Sequence, residues 1–140
     1  MNKDHCVILD THTWLWYVLG DDNLNKKHQA LITDAAKHSS LYLSSISLWE
    51  VAMLEAKNRI VLSKDCHTWI KEAVTIPGLS LAPISIEIAV DSTRLPENFH
   101  GDPADRIIVA TARQKNAILI TKDAKIMEYA KAGHLRCVEA

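Results

Sequence analysis

The sequence predicts an α/β fold with a mostly parallel central sheet flanked by helices, and three observations predict it. Two compact apolar runs, Cys6–Leu9 and Ala117–Ile120, read as strands buried on both faces, as in a parallel sheet. Both end in the same way, the first at Asp10-Thr11 and the second at Thr121-Lys122-Asp123, with a helix-forming stretch behind. Between and around them, short strand patterns alternate with helical ones, which is the signature of βαβ units.

The elements follow in order. Asp10 opens a helix that runs through Leu19 and stops at Gly20. Asp21-Asp22-Asn23 is a polar turn, and Leu24 to Lys37 is a second helix, with Leu24, His28, Leu31, Ile32 and Ala35 at helical spacing. Leu41–Leu43 is a short strand. Ser44, Ser45 and Ser47 offer caps for a helix from Ile46 to Lys57, and Asn58 is its stop. Asp65 to Ile76 forms a helix with Trp69, Ile70, Ala73 and Val74 inward, ended by Pro77-Gly78. Leu79–Ala82 is a strand, Ser85–Arg94 a helix, and Leu95–Gly101 a loop. Asp102 stands at an N-cap and Pro103 at the first helical position, where its missing N–H costs nothing. The apolar run Ile107–Ala112 behind them makes that helix a buried one. Ala124–Ala132 is a short helix closed by Gly133, and Leu135–Val138 a last edge strand. No repeat, low-complexity tract or linker divides the chain, so residues 1–140 read as a single domain.

The bulk numbers exclude several classes. A chain of 140 residues, 48% hydrophobic and 24% charged, can bury a real core. Its net charge of -1 advertises no global field for nucleic acid, so any such binding needs a local patch or metal ions. Cys6, Cys66 and Cys137 are widely spaced and odd in number, which argues against disulfides or a zinc site and suits a reducing cytoplasm. The polar start Met1–Asp4, followed by only a short apolar run, gives no signal peptide, and no run approaches membrane-spanning length.

Four acids carry the chemistry. Right-handed crossovers bring the C-terminal ends of parallel strands to one edge, where ligands bind in open α/β sheets. Asp10 and Asp123 belong at that edge. Glu50 is a lone acid among Ile46, Leu48, Trp49, Val51, Ala52, Met53 and Leu54, and so points inward, whereas Glu55 is a solvated charge. Asp105 leads the buried helix on the face of Ile108 and Ala112. Each has an ordinary role taken singly: Asp10 as a cap, Glu50 as a solvent-reaching charge, Asp105 as the acid of a capping box, Asp123 as a turn residue. Together they are four anions with one destination, intolerable without a cation among them. Hard oxygen ligands without a His or Cys cluster select Mg²⁺ or Mn²⁺.

The stretches Asp10-Thr11-His12-Thr13-Trp14-Leu15-Trp16, Ser44-Ser45-Ile46-Ser47-Leu48-Trp49-Glu50, Asp102-Pro103-Ala104-Asp105-Arg106-Ile107-Ile108-Val109-Ala110-Thr111-Ala112 and Leu119-Ile120-Thr121-Lys122-Asp123, in that order, resemble a PIN domain. More narrowly, they resemble the VapC toxins of bacterial toxin–antitoxin pairs, over essentially the whole chain. The resemblance implies a three-layer PIN-like sandwich and a Mg²⁺- or Mn²⁺-dependent endoribonuclease whose acidic quartet is Asp10, Glu50, Asp105 and Asp123. Asp102 is then a cap and supporting residue, although it and Asp105 could exchange roles. Water would attack phosphorus in line and leave a 5′-phosphate and a 3′-hydroxyl. Thr11 and Thr121 could orient water or phosphate, or simply cap strand ends; Arg106, Lys122 and His100 could meet the RNA backbone. The resemblance further implies a homodimer, a cognate antitoxin that blocks the acidic site, and RNA, with transfer RNA the commonest family target. Trp14, Trp16 and Tyr17 crowd the first helix and cannot all face one way, while Trp49 and Trp69 fit buried positions. An exposed aromatic could stack on a base or sit at a protein interface.

Three other readings compete. A phosphatase with an aspartate nucleophile needs a second Asp two residues after Asp10, where His12 stands. A zinc hydrolase is not supported by seven scattered His residues without an HExxH motif. A PIN fold kept only to bind RNA or a partner would have no reason to retain four repelling acids.

Overall fold

The structure is a computed structural model that describes residues 6–99 and 101–140. Its strands are β1 (Val7–Leu9), β2 (Leu41–Ser44), β3 (Leu79–Ala82), β4 (Ile118–Thr121) and β5 (Arg136–Glu139). They form one sheet in the order β3-β2-β1-β4-β5, and every pairing is parallel. The helices are α1 (Thr11–Leu19), α2 (Lys26–Lys37), α3 (Ile46–Ala56), α4 (Cys66–Ala73), α5 (Ile86–Asp91), α6 (Pro103–Lys115) and α7 (Ala124–Ala130). A 3₁₀ turn, Pro96–Asn98, lies between α5 and α6.

The alternation of side chains along a strand divides the apolar residues between two cores. Val7 and Leu9 face one side, with Leu41, Leu43, Ile32, Trp14 and Trp69. Ile8 faces the other, with Leu119, Ile108, Val109 and Ile126. The three residues of β1 are therefore fully buried, and each contributes about 1.5–3 kcal/mol of burial. Trp14 also satisfies its indole N–H, which donates to the Ala73 carbonyl at 3.1 Å.

Strand order positions the site. The chain leaves β1 for β2 and β3 on one side, then returns to β4 and β5 on the other. Neighbouring connections diverge between β1 and β4, and a crevice opens at such a switch point. Asp10 follows β1 directly, and Asp123 follows β4 by two residues.

Several sequence expectations shift. The second helix starts at Lys26 rather than Leu24, because the Asn25 side chain accepts from the His28 N–H and caps it there. Leu24 is still buried. The fourth helix ends at Ala73, ahead of Pro77, and the fifth ends at Asp91, where the Ser92 and Thr93 hydroxyls turn back onto the Ala89 and Val90 carbonyls. The seventh ends at Ala130 and the last strand spans Arg136–Glu139. Trp49 is a correction: it is 56% exposed. Only Ser47 and Val51 of α3 are buried, so this helix presents one turn-spaced face inward and leaves Trp49 outside it. Trp69 is buried.

Candidate active site: an acidic cleft at the strand tips

At the C-terminal ends of β1 and β4 a cleft of about 300 Å³ is lined by five carboxylates, Asp10, Glu50, Asp102, Asp105 and Asp123. His12, Trp16 and Lys122 complete its walls. A larger groove of about 880 Å³ lies over α1, α2 and α4, with Tyr17, Thr33 and Glu72 on its walls. Charge, not size, marks the candidate site.

Each acid is held by its own local structure. Asp10 is the N-cap of α1 and is buried; one carboxylate oxygen accepts from the Thr11 N–H at 2.8 Å and the other from the Thr121 hydroxyl at 2.5 Å. The same Thr121 oxygen accepts from the Asp123 N–H at 2.9 Å, so one hydroxyl ties both strand tips together. Glu50 Oε1 accepts from the Thr11 hydroxyl at 2.5 Å. That hydroxyl has one proton, already given to Glu50. The Ser47 hydroxyl, 2.9 Å away, is therefore the donor to Thr11. Asp123 caps α7 through the Lys125 and Ile126 N–H groups, and Asp102 caps α6 through the Asp105 N–H at 2.8 Å. Asp105 is half-buried in the first turn of α6. The chain reaches it past Gly101, where a Cβ would stand 2.4 Å from the Phe99 ring and 2.9 Å from the Asp105 Cβ.

Burial and mutual repulsion push three of these acids, Asp10, Glu50 and Asp105, toward protonation. Burial raises Asp10, the Thr121 and Thr11 hydrogen bonds oppose it, and Asp123 adds to it. Burial also raises Glu50, against the Thr11 bond and with Asp10 and Asp102. Asp105 is raised to about 7, first by burial and then by Asp102, Asp10, Asp123 and Glu50. Among the described residues no Lys or Arg forms an ion pair with any of the five.

The donor chemistry fits a divalent cation. The cleft offers carboxylate oxygens alone apart from His12, uncompensated by any paired base, and hard Mg²⁺ or Mn²⁺ takes such ligands. Among the described residues, no group of three or more His, Cys, Asp or Glu side chains is already drawn together as a metal site.

Residues 7–132 match the family model of the PIN domain. The chain belongs to the PIN-domain family. Among its relatives is Ribonuclease VapC22 of Mycobacterium tuberculosis (strain ATCC 25618 / H37Rv), 31% identical over 124 residues that cover 88% of this chain and 91% of the relative. The PIN fold is also that of VapBC2 from Rickettsia felis, solved bound to a DNA fragment from its promoter. There the TM-score is 0.68 at 16% identity, over 95% of this chain and 97% of that one. DNA-bound VapBC from Salmonella typhimurium gives 0.66 at 14% identity, over 95% of this chain and 96% of that one.

In this PIN domain Thr11 and Thr121 both touch the acids through their hydroxyls, and Asp102 lines the cleft while capping α6. Lys122 lines the cleft, but Arg106 does not: its Nε donates to the Gly101 carbonyl at 2.9 Å, bracing the loop before α6. His100 lies outside the described residues. Sequence reasoning gave Ser47 only a capping role, whereas it supports Thr11. The signal was its spacing, three residues before Glu50 and so on the same helix face. His12 and Trp16 were legible in the same way, four residues apart on α1 behind Asp10.

Proposed function

We propose that this PIN-domain chain is a Mg²⁺- or Mn²⁺-dependent endoribonuclease and the toxin of a toxin–antitoxin pair, cutting RNA to leave 5′-phosphate and 3′-hydroxyl ends. The observation that carries this reading is the convergence of Asp10, Glu50, Asp105 and Asp123 on one cleft with no paired base among the described residues. Asp10, Glu50 and Asp105 would hold one ion, and Asp123 would serve a second ion or a water. When bound, such an ion supplies a water of lowered pKa and neutralises charge that builds on the phosphoryl oxygens. The chain itself supplies orientation. Both Asp10 oxygens and Glu50 Oε1 are fixed by hydrogen bonds, so three of the ligand atoms need little reorganisation. Asp105 accepts no hydrogen bond among the described residues, and burial and the neighbouring acids raise it to about 7, so a divalent ion would take the place of a proton at its carboxylate. Nothing in this scheme uses the RNA 2′-hydroxyl as nucleophile.

The kinship to VapC22, a ribonuclease by name, supports RNA as substrate, and transfer RNA is the first class to assay. The VapBC neighbours support a cognate antitoxin as partner; a homodimer and a cytoplasmic location are part of the same proposal. No helix among the described residues is long and apolar enough to cross a membrane. The test is direct. Purified protein should cut RNA with Mg²⁺ or Mn²⁺, stop with EDTA, and leave 5′ ends that a ligase accepts without prior phosphorylation. Asp10→Asn should remain folded and inactive. Full activity in that variant, or cleavage in EDTA, rejects the assignment in favour of a metal-independent mechanism, and a wild type that cuts no RNA with any divalent ion points to a purely binding role.

A further inference from the structure

Lys122 lies in a cleft of five carboxylates, yet among the described residues it forms an ion pair with none of them. Its Nζ instead lies 5.5 Å from the centroid of the Trp16 ring, inside the range of roughly 6 Å over which an aromatic face attracts a cation. Trp16 can hold it there because the indole is braced. Part of it packs against the core beneath α1, and His12 is tilted against it one turn earlier, 6.1 Å between centroids. Lys122 is also the odd member of its turn. Thr121 before it is committed to Asp10, and Asp123 after it caps α7. A lysine that fell onto the carboxylates would neutralise them and compete with a divalent ion. A cleft with no cation outside the ion site would repel the phosphates of an incoming strand. The indole resolves both difficulties, because it keeps the ammonium in the cleft and off the acids.

We propose that Lys122 binds a backbone phosphate of the RNA strand entering the cleft, and that Trp16 is the positioning residue that holds the ammonium away from the carboxylates so that they remain available to a divalent ion. This rests on the ribonuclease reading above. Phosphate contacts of this kind fix the strand in place and read no base, so the pair acts on any single-stranded RNA.

The test compares the wild type with Lys122→Gln, Trp16→Leu, Trp16→Phe and the double variant Trp16→Leu/Lys122→Gln. One measurement is Mn²⁺ binding to the RNA-free protein by electron paramagnetic resonance. The other is the salt dependence of binding to a fluorescent single-stranded RNA in EDTA. Lys122→Gln should lower the slope of log affinity against log salt by about 0.7, one phosphate contact of a single strand. Trp16→Leu should weaken Mn²⁺ binding about two- to fivefold, the worth of one exposed cation–π contact, as the released ammonium turns to the acids. The double variant should regain wild-type Mn²⁺ affinity, and Trp16→Phe, which keeps a ring, should stay close to it. An unchanged salt slope in Lys122→Gln overturns the proposal, as does wild-type Mn²⁺ affinity in a folded Trp16→Leu. Should Trp16→Leu fail to fold, Trp16→Met, which keeps the bulk without the ring, takes its place in the Mn²⁺ comparison. A wild type that cuts no RNA with any divalent ion defeats the ribonuclease reading instead; the Mn²⁺ comparison requires no cleavage and judges the Trp16 role separately.

Discussion

Asp105 has four carboxylates acting against it and accepts no hydrogen bond among the described residues in compensation. Its folded-state pKa of about 7 lies above the value of roughly 4 that an unfolded Asp has. The native state therefore binds more protons than the unfolded chain between those values, and the metal-free protein loses stability as pH rises from about 4 to about 7. Asp105→Asn removes the titrating charge. It should raise the melting temperature of the metal-free protein at pH 8, flatten its pH dependence, and reduce cleavage to background, all readable by calorimetry beside an RNA assay. Thr121→Val is the opposite case. It leaves an Asp10 oxygen and the Asp123 N–H without their shared partner. The cost should be about 1–3 kcal/mol of stability, measurable by denaturant titration. Activity should fall about 10–100-fold, as when the supporting partner of a metal ligand is lost.

At the scale of elements, α6 sets a helix cap against a charge. Asp102 stabilises the helix start through the Asp105 N–H and destabilises Asp105 through its own charge. Asp102→Asn keeps a capping oxygen and removes the charge, so it should be neutral or stabilising without metal; Asp102→Ala should cost about 1 kcal/mol as an ordinary lost cap. Comparing the two melting curves separates the roles. Gly101→Ala should displace the Phe99 ring or Asp105 and impair cleavage, since neither has room for a Cβ. Much of this was legible from the chain. Asp10 and Asp123 declared themselves because two unbroken apolar runs stop abruptly, one at Asp10-Thr11 and the other at Thr121-Lys122-Asp123, and Asp102-Pro103 is a helix start in any context. What stayed illegible depended on direction. The apolar residues of α3 exceed the one face it buries, so composition could not say that Trp49 points out or that Ser47 points in. Nor could it say that Arg106 turns back to Gly101 while Lys122 enters the cleft, because a long charged side chain can reach many partners from one backbone position.

For the whole molecule, the sheet order makes stability and the proposed metal binding one problem. The switch point between β1 and β4 collects anions from β1, α3, α6 and the turn after β4, elements spread from Asp10 to Asp123 in sequence. The fold carries this repulsion, and a ligand that binds only the folded state returns stability by mass action, about 2.7 kcal/mol at a hundred times its dissociation constant. Mg²⁺ or Mn²⁺ should therefore raise the melting temperature and EDTA should reverse the gain, whereas Na⁺ at equal ionic strength should act only by weak screening. Protons compete with the ion for Asp105, so the divalent-induced shift should be small at pH 5.5 and grow through pH 7, in step with cleavage. In the Asp105→Asn protein, whatever shift remains should lose this rise near neutrality. A pH-independent shift in the unsubstituted protein would place the ion away from Asp105, and melting curves over that pH range in Mg²⁺ and in EDTA measure which holds.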